Sequence, residues 1–296
     1  MSPVKRMFPH LQNYVRMVRK VLVSAASIRQ QPHNRFTSDG YEVIPDFLSS
    51  AESREIIAFA QSYVRGHSYV IPPQHYCEDE QDGGKCYMHH RAESTDINLG
   101  MVQFINVQKL DERYSRLLYS VKTMLEKRTG ETLVAQSAVV QLDMPDQQTK
   151  RRLHTDGLTV RYKAFLYLSD VQNIDDGPYT VIAHSHRHVA RKLLNLFYVR
   201  WRSLGWSREK VSRSDQFGDM ALFYNEKQTI PILGQAGTLI LSNQLIVHQG
   251  GYNTNPRWAL ILHYIPSKFW DGKPFDMYQK DVGSQGYPDQ QMLAEA

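Results

Sequence analysis

Residues 151–160 read RRLHTDGLTV. His154 and Asp156 stand two apart, and Gly157 follows directly. On an extended chain, residues i and i+2 share a face, so the imidazole and the carboxylate can aim into one space. Alone, the pair decides nothing, because Asp-Gly is also an ordinary turn dipeptide. Two donors make a weak metal site. Two histidines and one carboxylate are the ligand set of mononuclear non-heme iron(II) oxygenases, with positions left open for substrates. The chain should therefore supply a second histidine from a later strand.

It does so in LILSNQLIVHQGGYNTNPRWALILHY, residues 239–264, where His248 lies between two β-like runs. Arg257 opens the second of these runs. An arginine at the start of an apolar strand needs an anion, and its planar fork suits a carboxylate. A metal site with an arginine nearby suggests an acid that chelates metal at one end and pairs with arginine at the other. 2-Oxoglutarate fits that description.

The surrounding texture is that of a β protein. AVVQLDM (138–144), LTVRYKAFLYLSDV (158–171), GPYTVIAHS (177–185), MALFYN (220–225), GTLILSN (237–243) and RWALILHYIP (257–266) are short runs of strand formers. Gly, Pro, Asn and Asp punctuate them, which predicts a sandwich or barrel. A helical insert, VARKLLNLFYVRWRSLGW (189–206), interrupts the series.

Helices come first. Residues 10–28 carry apolar side chains at helical spacing, with Arg16, Arg19 and Lys20 elsewhere on the wheel. Such a helix packs on its own domain or lies on a membrane surface as a peripheral contact. YEVIPDFLSSAESREIIAFAQSY (41–63) reads as a short strand, then a capping box at Ser49 and Glu52, then a helix. The spacing predicts a further helix over 111–130, started by Asp111 and ended by Gly130.

These parts read as one domain over 1–296. A basic amphipathic helix (1–35) leads to a flanking strand and helices (36–130). The β core (131–270) carries its insert at 187–208, and a tail covers 271–296.

With these motifs in order, the chain resembles the phytanoyl-CoA dioxygenase family of iron(II)/2-oxoglutarate oxygenases. The resemblance rests on HTD at 154–156, FLYLSDV at 165–171, GPYTVIAHSHR at 177–187 and HQGGYNTNPR at 248–257. YEVIPDFLSSAE is similar to the family's opening, so the likeness touches roughly residues 41–266. It implies a mainly β fold with flanking helices: a double-stranded β-helix (jelly-roll) barrel with an N-terminal helical layer. It implies His154, Asp156 and His248 as ligands of Fe(II), with Arg257 and Gln141 toward 2-oxoglutarate. The implied reaction is a dioxygenase reaction, using O2 and converting 2-oxoglutarate to succinate while a small organic molecule is hydroxylated. Related iron halogenases replace the carboxylate ligand with a small residue, so Asp156 points to oxygenation. Members often carry a small hydroxyl residue two positions after the distal histidine, where this chain has Gly250.

The rival reading is a non-catalytic or cupin-like metal-binding β-barrel. His184, His186 and His188 alternate in HSHRH and would share a face on a strand, but the resemblance implies a structural turn at His186 instead. Cys77 and Cys86 sit in a histidine-containing segment at 75–90, but their spacing is not that of common zinc sites. Residues 75–90 and 189–206 are expected to gate the substrate. Arg191, Lys192, Arg200, Arg202 and Arg208, with Trp201 and Trp206, suggest an anionic or lipid-like group on it.

Composition bounds the rest. Of 296 residues, 42% are hydrophobic, enough for a sizeable core, and 22% are charged. A net charge of +5 selects no partner. No nucleic-acid-binding motif is present. No apolar stretch reaches the ~18 residues of a membrane span. Two cysteines imply no disulfide framework, so a reducing, cytoplasmic setting is expected.

Overall fold

The computed structural model describes residues 3–66, 87–90, 101–145, 152–201 and 221–272. Helices α1 (Pro3–Arg29) and α2 (Arg35–Asp39) lead into strand β1 (Tyr41–Ile44), helix α3 (Ser50–Gly66), and strands β2 (Tyr87–His90) and β3 (Met101–Ile105). Helix α4 (Glu112–Thr129) follows, then β4 (Leu133–Asp143), β5 (Tyr162–Tyr167) and β6 (Tyr179–Ile182). Helix α5 (Val189–Trp201) precedes β7 (Ile230–Ile232), β8 (Leu239–Asn243), β9 (Val247–Gly250) and β10 (Arg257–Pro266).

The predicted caps are present. The Ser49 hydroxyl accepts from the Glu52 amide at 3.2 Å, and the Glu52 carboxylate accepts from the Ser49 amide at 2.8 Å. The Asp111 side chain accepts from the Arg113 amide at 2.7 Å, and Gly130 ends α4 in the left-handed region. A capped helix with one apolar stripe can bury that stripe against a sheet.

The strands form two sheets. The larger runs β1-β8-β5-β10-β4-β3-β2, and the smaller runs β7-β6-β9. Each pairing is antiparallel. Side chains from both sheets meet in one apolar cluster that includes Tyr167 and Ile240 from the larger sheet and Val181 and Ile232 from the smaller. The sheets thus face each other as a jelly-roll. Among the described residues their hydrogen bonds do not close into a complete barrel.

Strand β10 explains the long apolar run of the sequence. Its even positions Trp258, Leu260 and Leu262 join the cluster that holds Tyr114, Leu118, Val121 and Leu125 of α4. Fully burying each such side chain contributes roughly 1.5–3 kcal/mol. Its odd positions Arg257, Ala259, Ile261 and His263 turn to the other face. Register places Lys163 opposite His263, and Asp143 opposite Arg257. A strand covered on both sides reads as nearly continuous apolar sequence.

Helix α1 packs on this body. Val21 and Ile28 are buried, and the Ser24 hydroxyl donates to the Leu158 carbonyl at 3.1 Å. Ser27, Gln31, Tyr162 and Lys268 all converge on the Glu131 carboxylate. Val15, Leu22 and Val23 remain exposed. No helix among the described residues is long and apolar enough to cross a membrane.

One predicted strand is absent. Residues 221–225 of MALFYN form turns, and Met220 lies outside the described residues. The Tyr224 amide donates back to Ala221 at 3.2 Å, and Asn225 caps a short 3-10 helix at Glu226–Gln228. Local capping has won over strand propensity here.

The loop before β8 admits no side chain. Gly237 has φ +96°, and a Cβ there would stand 1.9 Å from the Leu48 carbonyl oxygen. Gly237→Ala is expected to destabilise the protein by on the order of 3 kcal/mol, read as a lower denaturant midpoint. An unchanged midpoint would contradict this packing of the loop.

Candidate metal centre

His154 lies just beyond the edge of the smaller sheet, opposite His248 of β9. The two exchange backbone hydrogen bonds: His154 N–H donates to His248 O at 3.0 Å, and His248 N–H donates to His154 O at 2.9 Å. Asp156 is held by its amide, which donates to the Gln244 carbonyl at 3.0 Å. Gly157 takes φ +103° at the turn that follows.

Each ring is oriented in the same way. His154 Nδ1 lies 2.8 Å from the Arg152 carbonyl, and His248 Nδ1 lies 3.0 Å from the Ile246 carbonyl. A carbonyl only accepts, so each Nδ1 carries the proton and each Nε2 presents its lone pair. Both Nε2 atoms face Asp156, at 3.5 Å for His154 and 3.8 Å for His248. The three donor atoms lie within 4.8 Å of one another. Two imidazole nitrogens and one carboxylate oxygen, with their outer nitrogens already hydrogen-bonded, fit a mononuclear divalent metal.

Burial favours the metal-binding form of His248 and opposes that of Asp156. It pushes the His248 imidazole down to about 3, with His154 adding to the effect, so the ring stays neutral. Burial would raise the Asp156 carboxyl. The Lys163 ammonium beside it opposes this, and the carboxyl lies well below the usual carboxylate range. Tyr179 stacks on Phe165 at 4.3 Å and stands 5.2 Å from the His248 ring. Its hydroxyl meets Ser242 at 3.0 Å, and burial keeps it protonated.

Arg257 has an anion, and it is a protein group. Its Nε donates to Asp143 Oδ2 at 3.0 Å, and its Nη2 donates to the same oxygen. Burial alone would lower the guanidinium, but Asp143 raises it, so it remains charged. Gln141 lies on the same face, donating to Asp143 at 3.0 Å and accepting from Gln103 at 2.8 Å. Arg257 Nη1 makes no hydrogen bond to a described residue, which leaves one edge of the fork for a second carboxylate. At Gly250 a Cβ would meet nothing within 4 Å.

Sequence reasoning missed Lys163 and Asp143. Lys163 donates to Asp156 at 2.5 Å. The available signal was charge within an apolar alternation: Lys163 shares a face with Phe165 and Tyr167, and Asp143 shares one with Gln141.

The other histidines do not gather. Ser185–Arg187 is a 3-10 turn rather than a strand. His184 turns to the Ser38 carbonyl, His186 to the Thr37 carbonyl and His188 to the Tyr224 hydroxyl. Lys192 is half-buried, donates to the His186 carbonyl at 2.8 Å and is pushed down to about 7 by loss of water around it. Arg191 lies 5.0 Å over the Tyr224 ring. Cys77, Cys86, Arg202, Trp206 and Arg208 lie outside the described residues, as do the side chains of Arg200 and Trp201.

No protein-family model and no curated protein sequence matches the chain. Solved structures do match it in fold. The non-heme alpha ketoglutarate dependent carbocyclase SnoK from nogalamycin biosynthesis aligns with a TM-score of 0.53 at 15% identity, over 85% of this chain and 92% of that one. HygX from Streptomyces hygroscopicus, solved with nickel and 2-oxoglutarate bound, aligns at 0.52 and 16% identity, over 87% and 97%. EvdO2 from Micromonospora carbonacea var. aurantiaca, complexed with 2-oxoglutarate, aligns at 0.53 and 14% identity, over 78% and 88%. The chain thus has the jelly-roll fold found in these 2-oxoglutarate-binding proteins.

His186 gives the fold an acid sensitivity that can be measured. Burial pushes its folded value down to about 3, against about 6.5 in an unfolded chain. The unfolded state then binds the extra proton. Its contribution is whole above pH 6.5 and is lost as pH falls toward 3. Between pH 7 and pH 5 the wild type should lose about 2 kcal/mol more than His186→Asn in urea unfolding. Equal losses would show that His186 titrates normally.

Proposed function

We propose that this protein is an iron(II)/2-oxoglutarate-dependent dioxygenase that oxidises a small organic molecule. The observation that carries the reading is the His154–Asp156–His248 cluster, with both Nε2 lone pairs aimed at one carboxylate inside a jelly-roll. The ordered motifs at 154–156, 177–187 and 248–257 support placement near the phytanoyl-CoA dioxygenase family. A cytoplasmic setting, from the scarcity of cysteine, belongs to the same proposal.

His154, Asp156 and His248 would hold the metal. Bound iron(II) would supply chelation of 2-oxoglutarate and activation of O2, with decarboxylation to succinate coupled to substrate oxidation. The chain's own part is to bind, orient and exclude. The Arg152 and Ile246 carbonyls fix the imidazole tautomers. The free edge of Arg257 receives the distal carboxylate of 2-oxoglutarate, while Asp143 and Gln141 hold the guanidinium in place. Phe165 and Tyr179 wall the site against water.

Anaerobic addition of Fe(II) and 2-oxoglutarate should produce the charge-transfer absorption of a chelated keto acid. O2 should then yield succinate. His248→Ala should lose both the absorption and metal uptake. An iron-binding protein with neither signal would be a metal-binding β-barrel without this chemistry.

Arg257→Lys should weaken 2-oxoglutarate binding by roughly tenfold or more, because an ammonium cannot hold Asp143 and a second carboxylate in fork geometry. Nickel uptake, which does not involve Arg257, should stay near wild type. Loss of metal instead would make Arg257 a support of the ligand strand.

A further inference from the structure

Lys163 is a cation placed directly on a ligand carboxylate. Its ammonium lies 2.5 Å from Asp156 Oδ2, the only hydrogen bond it makes among the described residues. It comes from β5, two residues before Phe165 on the face that looks into the site, and His263 of β10 lies opposite. Asp156 Oδ1 is the oxygen nearer His154 Nε2. The lysine engages Oδ2, the carboxylate oxygen that also lies 3.8 Å from His248 Nε2.

The charges of the described inner side chains balance. The described charged side chains on the inner face of β4, β5 and β10 are Asp143, Lys163 and Arg257, and Asp156 stands beside them. Two acids meet two bases, so these four described side chains sum to zero. A divalent cation alone would leave this set of side chains and metal with two positive charges. A dianion such as 2-oxoglutarate would return it to neutrality. Without the lysine, the metal-loaded site would start one charge lower and end with an excess negative charge.

We infer that Lys163 is a charge-balancing residue that opposes metal binding to the empty site and favours the dianionic co-substrate once metal is bound. This rests on the functional reading above. Lys163 thus ties the two binding events together: metal is held weakly until the dianion arrives.

Titration calorimetry with Ni2+, then with 2-oxoglutarate into the Ni2+-loaded protein, tests this. Lys163→Met should bind Ni2+ alone about tenfold tighter and 2-oxoglutarate about tenfold more weakly than wild type, as expected for removing a charge a few ångströms away. Lys163→Arg, which keeps the charge, should follow wild type in both. Lys163→Gln should repeat the crossed shift and serves if the methionine variant does not fold. Weakening of both affinities, or no change in either, would overturn the inference. So would an arginine variant that behaves like methionine. A wild-type protein that takes up neither Ni2+ nor 2-oxoglutarate overturns the functional reading and this inference with it.

Discussion

Two backbone hydrogen bonds between His154 and His248 are what the candidate site depends on. They attach a single residue of an otherwise irregular segment to the edge of the smaller sheet. Strand β9 is in turn fixed by its register with β6, where Val181 pairs with His248. A slip of one residue would send every side chain to the opposite face. His248 would then leave the interior and enter the packed outer layer. The apolar pattern of the sheet and the chemistry of the site therefore enforce the same register.

That register also explains how polar groups survive inside. An unpaired buried charge is costly, whereas a paired and hydrogen-bonded one is tolerated. Both bases of the inner face meet an acid, Lys163 with Asp156 and Arg257 with Asp143. The pairs sit toward opposite ends of β10, opposite or beside His263 and at Arg257. Between them the face is apolar or neutral, at Ala259 and Ile261. The interior thus has a polar level at the metal ligands and another at the arginine, joined by a neutral wall.

The sequence made the ligands legible because their signals are local. His154 and Asp156 follow the two-residue period of an extended chain, and His248 stands in a run of strand formers. Helix α4 was legible from Asp111 and Gly130, which act within one turn of the chain. The partner of Arg257 was not, because Asp143 becomes its neighbour only through the β4–β10 register. Lys163 was hidden for the same reason, since its carboxylate lies across a turn and its histidine neighbour across a strand pair. Strand β3, MVQFI, is too short to separate from a buried helix segment by periodicity. MALFYN misled in the opposite direction: its composition favours a strand, but Asn225 and the Ala221 turn decide its conformation locally.

Burial acts on the three donors in opposite senses, and the fold resolves the conflict. For an imidazole, loss of water favours the neutral ring, which is the form that binds metal, so the interior position of His248 prepares it. For a carboxylate, the same loss of water favours the protonated acid, which binds poorly. Asp156 escapes because the Lys163 ammonium sits directly against it, and the carboxyl lies well below its usual range. In the empty site the carboxylate alone thus needs assistance, a countercharge that a bound cation would otherwise supply. The assistance comes from a strand residue whose side chain would otherwise have no reason to point inward. Lysine in the alternation of β5 is therefore a consequence of where Asp156 sits, just as the outward Ala164 and Leu166 are a consequence of the helices that cover them.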